Sequence, residues 1–427
     1  MKHQRVEQRH RSPSWTDPPL LLRNPSLLVA LWLWALATFL VLRSGLGVPR
    51  GTEMPLDRAV FTVVNVVTLT GFQQDTRIAD HKPIGQAMVL GLMVLAGLVM
   101  LMVGARAISR ILQLPFDDGR IMRTTLFIYL AGVLLGACLL LGQDTNVRQA
   151  IFHAASAIGN AGLILGDSPG VYDWRTHVVL LPLAVVGGLG VVVLLDLRAS
   201  IVEKRPMHPH TLTAPAGMAG AYLLGLGLIV AMEHLGGRPL GQSLVLGSVQ
   251  AINTRSLGMP MNMPGTLTTA SQWVLMILMS IGACAGSAGG GMTTTALFLF
   301  VAKTRRLLAG GTAGRCFGLA CAWIGLYIVL VLATTIGLIV LEPRTRSDHL
   351  LFLAVAAAST TGLWPDAIHH VGGTLYVLSA AMLLGRFVPL LLLCLMARIQ
   401  PQLPHDRTTE NEKAKSKPLR LPVFACA

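Results

Sequence analysis

Eight apolar stretches punctuate the chain, at 27–46, 84–108, 124–142, 176–197, 215–235, 272–301, 317–341 and 374–398. A hydrocarbon layer about 30 Å thick takes roughly 20 apolar residues to cross as a helix, and these stretches meet or approach that length. Between alternate pairs of them lie four shorter, half-polar segments: VVNVVTLTGFQQ, VRQAIFHAASAIGNAGLILGD, SLVLGSVQAINTRSLGMPMN and HLLFLAVAAASTTGLWPD. Each offers about 12 helix-compatible residues and then a turn of small residues around one glycine, enough to dip into a bilayer and return. The glycines are Gly71, Gly162, Gly258 and Gly362, at the same phase of four units. The pattern predicts an all-α polytopic membrane protein with four pseudo-repeated helix–pore loop–helix units around one central pore. The units are read as 27–112, 120–200, 211–304 (with a broken second helix) and 315–399, flanked by tails at 1–26 and 400–427.

Composition agrees with the pattern. Hydrophobic residues make up 53% of the chain and charged ones 13%, against about 25% charged in a soluble protein. The net charge of +14 raises the question of nucleic acid. The basic residues lie between and beyond apolar spans, with no helix-turn-helix or zinc-finger pattern, so nucleic acid is excluded as a partner. The charge sets topology instead. Lys and Arg balance Asp and Glu in the loops holding the glycine turns, and nearly all of the excess lies on the opposite face. Cytoplasmic loops attract Lys and Arg. Both tails, and clusters such as Arg106, Arg110, Arg120, Arg123 and Lys303, Arg305, Arg306, are therefore placed in the cytoplasm, and the glycine turns open outward. Those clusters serve topology alone, or also dock an acidic partner or anionic membrane lipid. The six cysteines have no metal-ligand spacing and read as small apolar residues.

Four glycine turns at the ends of short helices suit a dehydrated cation. Rings of main-chain carbonyls replace water around an ion, and glycine reaches the backbone conformations that aim successive carbonyls at one axis. Each short helix also directs its partially negative C-terminal end at the turn. The motifs TLTGF (68–72), SAIGNAGL (156–163), NTRSLGM (253–259) and STTGL (359–363) resemble, in order and over nearly the whole chain, the four filter motifs of the Trk/Ktr/HKT superfamily of potassium transporters. The resemblance implies a membrane subunit that carries K+ as transported ion, with no organic cofactor. The ion would be held by Leu69, Thr70 and Gly71, by Asn160, Ala161 and Gly162, by Ser256, Leu257 and Gly258, and by Thr360, Thr361 and Gly362. In that family a serine at the first glycine goes with sodium transport, so Gly71 favours potassium. It further implies a homodimer in the inner or plasma membrane and a cytosolic nucleotide-binding regulatory subunit of the RCK type.

The sixth apolar stretch contains Gly282, Gly286, Gly289, Gly290 and Gly291. At about 1 kcal/mol per glycine relative to alanine, a helix through them is weakened by roughly 5 kcal/mol. The expectation is a break in the span. The alternative is a helix–helix contact, since Gly282, Gly286 and Gly290 have GxxxG spacing. GSAGGGMTTT (286–295) resembles the family's intramembrane gate loop, which implies a gate at Gly286, Ser287, Gly289, Gly290 and Gly291, although Thr293 stands where the family often has lysine.

Arg386 lies near the middle of the eighth stretch, about 12 residues or 18 Å from either end, too deep to snorkel easily. It is either a structural arginine on backbone carbonyls or, as the resemblance of GRF (385–387) to a family element implies, an electrostatic barrier in the pore. Arg255 bonds the filter backbone or an acid near the mouth, or is an exposed mouth residue. His208, His210, His369 and His370 read as loop residues, with weak proton or metal sensing as the alternative. Glu53, Asp57, Asp75, Asp80, Asp144, Asp167 and Asp173 face outward and draw cations modestly, being balanced by basic neighbours. An intramembrane hydrolase would need an HExxH or a Ser/His pair within spans, and neither is present. A secondary transporter with alternating access usually carries interrupted helices at matching places in two halves, whereas here only one span reads as strongly interrupted. A sodium or mixed sodium/potassium transporter of the same architecture is the nearest rival.

Overall fold

The computed structural model describes residues 25–49, 54–73, 77–142, 145–310, 315–365 and 371–399. The distal parts of both tails, together with Glu53, Asp75, Asp144, His369 and His370, lie outside the described residues. All regular elements among the described residues are helical. In the first unit α1 (Pro25–Arg43) and α3 (Pro83–Ile111) flank a short α2 (Leu56–Val67). The second comprises α4 (Asp118–Leu140), short α5 (Val147–Ile158), α6 (Leu181–Leu189) and α7 (Val191–Glu203). The third comprises α8 (Pro209–Leu235), short α9 (Leu240–Ile252), α10 (Thr269–Ile281) and α11 (Thr294–Leu308). The fourth comprises α12 (Arg315–Leu341), short α13 (Ser347–Ala358) and α14 (Gly373–Ile399).

Six described helices are long and apolar enough to cross a membrane, and the bent pair α6/α7 brings the number to seven. The remaining expected crossing is divided between α10 and α11 by a loop at 282–293. The four short helices are 12 or 13 residues long. At 1.5 Å per residue they reach only about 18–20 Å, well short of a full crossing.

Burial is distributed as a lipid solvent demands. Phe127, Leu134 and Leu135 of α4, Leu223 and Leu224 of α8, and Val329 and Ile336 of α12 are exposed. Leu350, Phe352, Leu353 and Ala354 of α13 are buried, as are Ala150, Phe152 and Ala154 of α5. The long helices thus turn apolar faces outward and enclose the short ones. So much continuous exposed apolar surface would be a liability in water.

The fourth apolar stretch departs from expectation. It is not one continuous helix over 176–197: Thr176–Leu189 and Val191–Glu203 meet at 86°. The cause is local. Residues 176–180 form a π-helical turn just ahead of Pro182, which has no N–H to continue the helical ladder. Gly190 then takes φ +84°, ψ 157°, a conformation open only to glycine. Two crossings are interrupted, not one, so the contrast drawn above with secondary transporters on that ground does not hold.

Candidate functional site

The short helices α2, α5 and α13 end alike. The amide of Leu69 bonds the Val66 carbonyl and that of Thr70 bonds Asn65; Asn160 and Ala161 bond Ala157 and Ser156; Thr360 and Thr361 bond Ala357 and Ala356. This paired pattern is the Schellman motif, which stops a helix sharply by placing one residue in the left-handed region. That residue is Leu69 (φ 54°), Asn160 (φ 50°) and Thr360 (φ 48°). None is glycine, so each costs roughly 1–2 kcal/mol that the surroundings offset. The helix α9 ends differently. A π-helical turn over Asn253–Leu257, which includes Ser256, closes when the Gly258 amide bonds the Asn253 carbonyl, and Gly258 itself is left-handed.

The four turns form a closed ring. A Cβ on Gly71 would lie 2.6 Å from the Ala161 carbonyl oxygen, and one on Gly162 would lie 2.8 Å from that of Leu257. A Cβ on Gly258 would collide with the Thr361 carbonyl oxygen, and one on Gly362 with that of Thr70. In every unit the glycine abuts the carbonyl that precedes the next unit's glycine, and the fourth returns to the first. The residues expected to act together, Thr70, Gly71, Ala161, Gly162, Leu257, Gly258, Thr361 and Gly362, therefore meet. Main-chain oxygens dominate there. The Thr68 and Thr70 hydroxyls add a hydrogen bond of 2.7 Å, and the Gln73 amide donates to the Gly71 and Gly162 carbonyls at 2.8 and 3.1 Å. Among the described residues no group of three or more His, Cys, Asp or Glu gathers as a metal site.

Side chains behind the ring hold its shape. Asn65 Oδ1 accepts from the amides of Gly71 (2.9 Å) and Phe72 (3.0 Å), and Asn65 Nδ2 donates to the Phe72 carbonyl (2.7 Å). Asn253 clasps Met259 likewise, at 2.8 and 2.9 Å. His153 Nε2 accepts from the Leu165 amide. Phe72 stacks edge-on against Trp364, 5.0 Å between centroids, joining the first turn to the fourth. Sequence reasoning passed over both asparagines. Their signal was an asparagine a few residues before the glycine in VVNVVTLTG and INTRSLG.

The glycine-rich segment is a loop, not a GxxxG helix contact. The Met292 and Thr294 amides bond back to the Ser280 and Ala283 carbonyls, so the segments entering and leaving it are tied together. The Cys284 and Ala288 amides bond the Gly188 and Gly187 carbonyls of α6, which the bend at Gly190 frees from helical partners. Gly286 packs on Gly104 of α3 with no room for a Cβ. Gly289 donates to Ser287 Oγ. Gly290 lies against Ser359 and Thr360 of the fourth turn, and Gly291 (φ +81°) against Gly282. Thr293 has a positive φ (68°) with ψ 137°, and its side chain caps α11 by accepting from the Ala296 amide. Trp323 donates to the Met292 carbonyl, and the Tyr327 hydroxyl bridges Ser280 and Ser359.

Arg386 is buried and its Nη2 donates to the Ala288 carbonyl at the middle of the loop. Beside them is a cavity of about 150 Å³ lined by Ser287, Thr295, Trp323, Arg386 and His210. Arg255 is not an exposed mouth residue. It is 3% exposed and bonds neither the filter backbone nor an acid, but the carbonyls of Met218 (2.9 Å) and Gly282 (2.8 Å).

Among the described residues, at least two of the acids expected to face outward have defined partners. Arg175 grips Asp173 through contacts of 2.7–3.1 Å, and this bonding holds the carboxyl below its ordinary range. Asp57 accepts from the Gly372 amide.

No family model matches the chain. Among proteins of assigned function it is similar to the Ktr system potassium uptake protein D of Bacillus subtilis (strain 168), at 26% identity over 80% of this chain and 86% of that one. It is similar to the Ktr system potassium uptake protein B of Vibrio alginolyticus, at 26% identity over 62% of each. The Potassium/sodium uptake protein NtpJ of Enterococcus hirae is 23% identical over 71% of this chain and 77% of that one. Among solved structures, the crystal structure of the potassium transporter TrkH from Vibrio parahaemolyticus has the same fold, with a TM-score of 0.69 at 18% identity over 92% of this chain and 87% of that one.

Proposed function

We propose that this chain, a membrane subunit of the Trk/Ktr superfamily, takes up potassium through a filter formed by the ring of Gly71, Gly162, Gly258 and Gly362. The observation that carries the reading is the closed cycle in which each glycine sits against the carbonyl preceding the next. A cation on the axis of that ring meets neutral oxygens on all sides and exchanges them for its water. The C-terminal ends of four short helices add partial negative charge without a fixed carboxylate that would trap the ion. The protein is a transporter, not an enzyme. The ion is cargo.

In this reading Gly286, Ser287, Gly289, Gly290 and Gly291 form the gate, lying against the fourth turn at Gly290, and Arg386 sets an electrostatic barrier beside it. A permanent charge in a low-dielectric passage repels cations strongly. The protein sits in the plasma membrane with both termini cytoplasmic, works as a homodimer, and answers to a cytosolic RCK-type regulatory subunit. A single glycine per turn gives a shorter carbonyl ladder than that of tetrameric potassium channels, so discrimination against sodium is weaker. The similarity to a potassium/sodium uptake protein favours a second reading, mixed sodium and potassium uptake. Growth rescue and rubidium uptake in a potassium-starved host, with sodium uptake measured alongside, test both. Rubidium uptake that exceeds sodium uptake is expected. Uptake of neither ion would refute the assignment.

A further inference from the structure

Arg255 occupies the π-helical turn that leads into Gly258, so its main chain belongs to the third filter turn. Its side chain reaches away from the ring. Nη2 bonds the carbonyl of Gly282, which caps α10 (φ +66°) and is the first residue of the glycine-rich loop. Nη1 bonds the Met218 carbonyl of α8. Nε is buried without a hydrogen-bond partner. A guanidinium with two carbonyl acceptors and no bonded carboxylate is poorly compensated for its burial, so losing either acceptor is costly. The hinge of the loop is thus bonded to a residue whose backbone shapes the ring.

We propose that Arg255 is a positioning residue that ties the hinge of the gate loop to the third filter turn, so that loop displacement and ion preference change together. This rests on reading the ring as a filter and the loop as a gate. When the loop moves, Gly282 either stays as a fixed pivot or carries the guanidinium with it. A cavity of about 200 Å³ beside Arg255, lined by Leu189, Pro215, Tyr222 and Ile252, gives the side chain room to follow. A following side chain pulls on residues 253–257 and shifts the Leu257 carbonyl that abuts Gly162. Arg386, by contrast, holds the loop at Ala288 from α14 and is not itself part of a turn of the ring.

The test uses full-length protein in liposomes, with rubidium and sodium flux measured per protein molecule. A charge-assisted hydrogen bond lost at the hinge corresponds to about a tenfold or greater change in the loop equilibrium. Arg255→Gln is therefore expected to raise rubidium flux by about that factor and to lower the rubidium/sodium ratio in the same variant. Arg255→Lys, which keeps the charge and one donor within reach, is expected to fall between wild type and Gln on both measures, and it serves as the test if the Gln variant does not accumulate. With residues 286–291 shortened, Arg255→Gln is expected to add no further flux and still to lower the ratio. With the loop intact, a change in flux without a change in ratio, a change in ratio without a change in flux, or no change in either would overturn the proposal, as would an unchanged ratio or added flux in the shortened-loop background. Gly71→Ser is measured in parallel. If it too leaves the ratio unchanged, the filter reading has failed; if it shifts the ratio while Arg255→Gln does not, only the role of Arg255 has failed.

Discussion

Replacing Gly71 by serine perturbs the ring at one defined point. The backbone there has φ +96°, and a Cβ would stand 2.6 Å from the Ala161 oxygen, 2.7 Å from Gly162 Cα and 2.9 Å from Gly162 C. Carbon atoms attract best at about 3.5–4.0 Å, so the first turn must retreat from the second by several tenths of an ångström or more. A residue with a Cβ in that region of backbone space also costs about 1–3 kcal/mol. Neither effect can be absorbed by a flexible side chain, since all three neighbours are main-chain atoms. If about half of the strain is released by displacing carbonyls of the ring, the potassium-selective arrangement loses about 1 kcal/mol relative to others, or five- to tenfold in the flux ratio. The assay is rubidium and sodium uptake by purified protein in liposomes. Gly170→Ala is the control, because a Cβ there meets nothing within 4 Å. A Gly71→Ser protein of normal abundance with the wild-type rubidium/sodium ratio would refute the placement of the filter.

Other perturbations test separate parts of the account. Asn65→Leu leaves the Gly71 and Phe72 amides and the Phe72 carbonyl without side-chain partners, at about 1–3 kcal/mol each if they stay buried; a lowered ion ratio or a loss of folded protein by thermal-shift assay is expected. Shortening 286–291 removes most of the proposed gate and is expected to raise rubidium flux in liposomes; unchanged flux would count against the gate. Arg386→Gln removes the buried charge bonded to Ala288 and is expected to increase cation leak, read as current at fixed voltage. Asp173, held below its ordinary pKa of 3.8 by Arg175, contributes stability above that value and loses it as pH falls through the depressed pKa. Because the pair is partly exposed, the loss is modest, and it should vanish from the acid side of a melting-temperature profile in Arg175→Leu.

The fourfold pattern was readable because apolar length and turn chemistry are local properties. STTGL carries its Schellman end and its glycine in consecutive residues, and the ring needs only four glycine turns in order, three of them with such an end. The bend in the fourth stretch was harder to see. Its apolar run continues unbroken through LPLAVVGGLGVVVLL, and the bend depends on Pro182 acting together with Gly190, with the freed carbonyls taken up by a loop about a hundred residues later in the chain. Arg255 was misjudged for a similar reason. Its neighbours in sequence belong to a turn that the charge pattern reads as opening outward, but its partners, Met218 of α8 and Gly282 at the end of α10, lie elsewhere in the same unit. Arg386 stood out because an isolated charge in an apolar run is conspicuous by itself, whereas its acceptor at Ala288 was not.

Where the ion sits is the most direct test of the central idea. A structure of the protein in lipid, with thallium in place of potassium, should contain thallium on the axis between Gly71, Gly162, Gly258 and Gly362, and added potassium should displace it more readily than added sodium. Thallium density away from that axis, or axial density indifferent to potassium, would contradict the account.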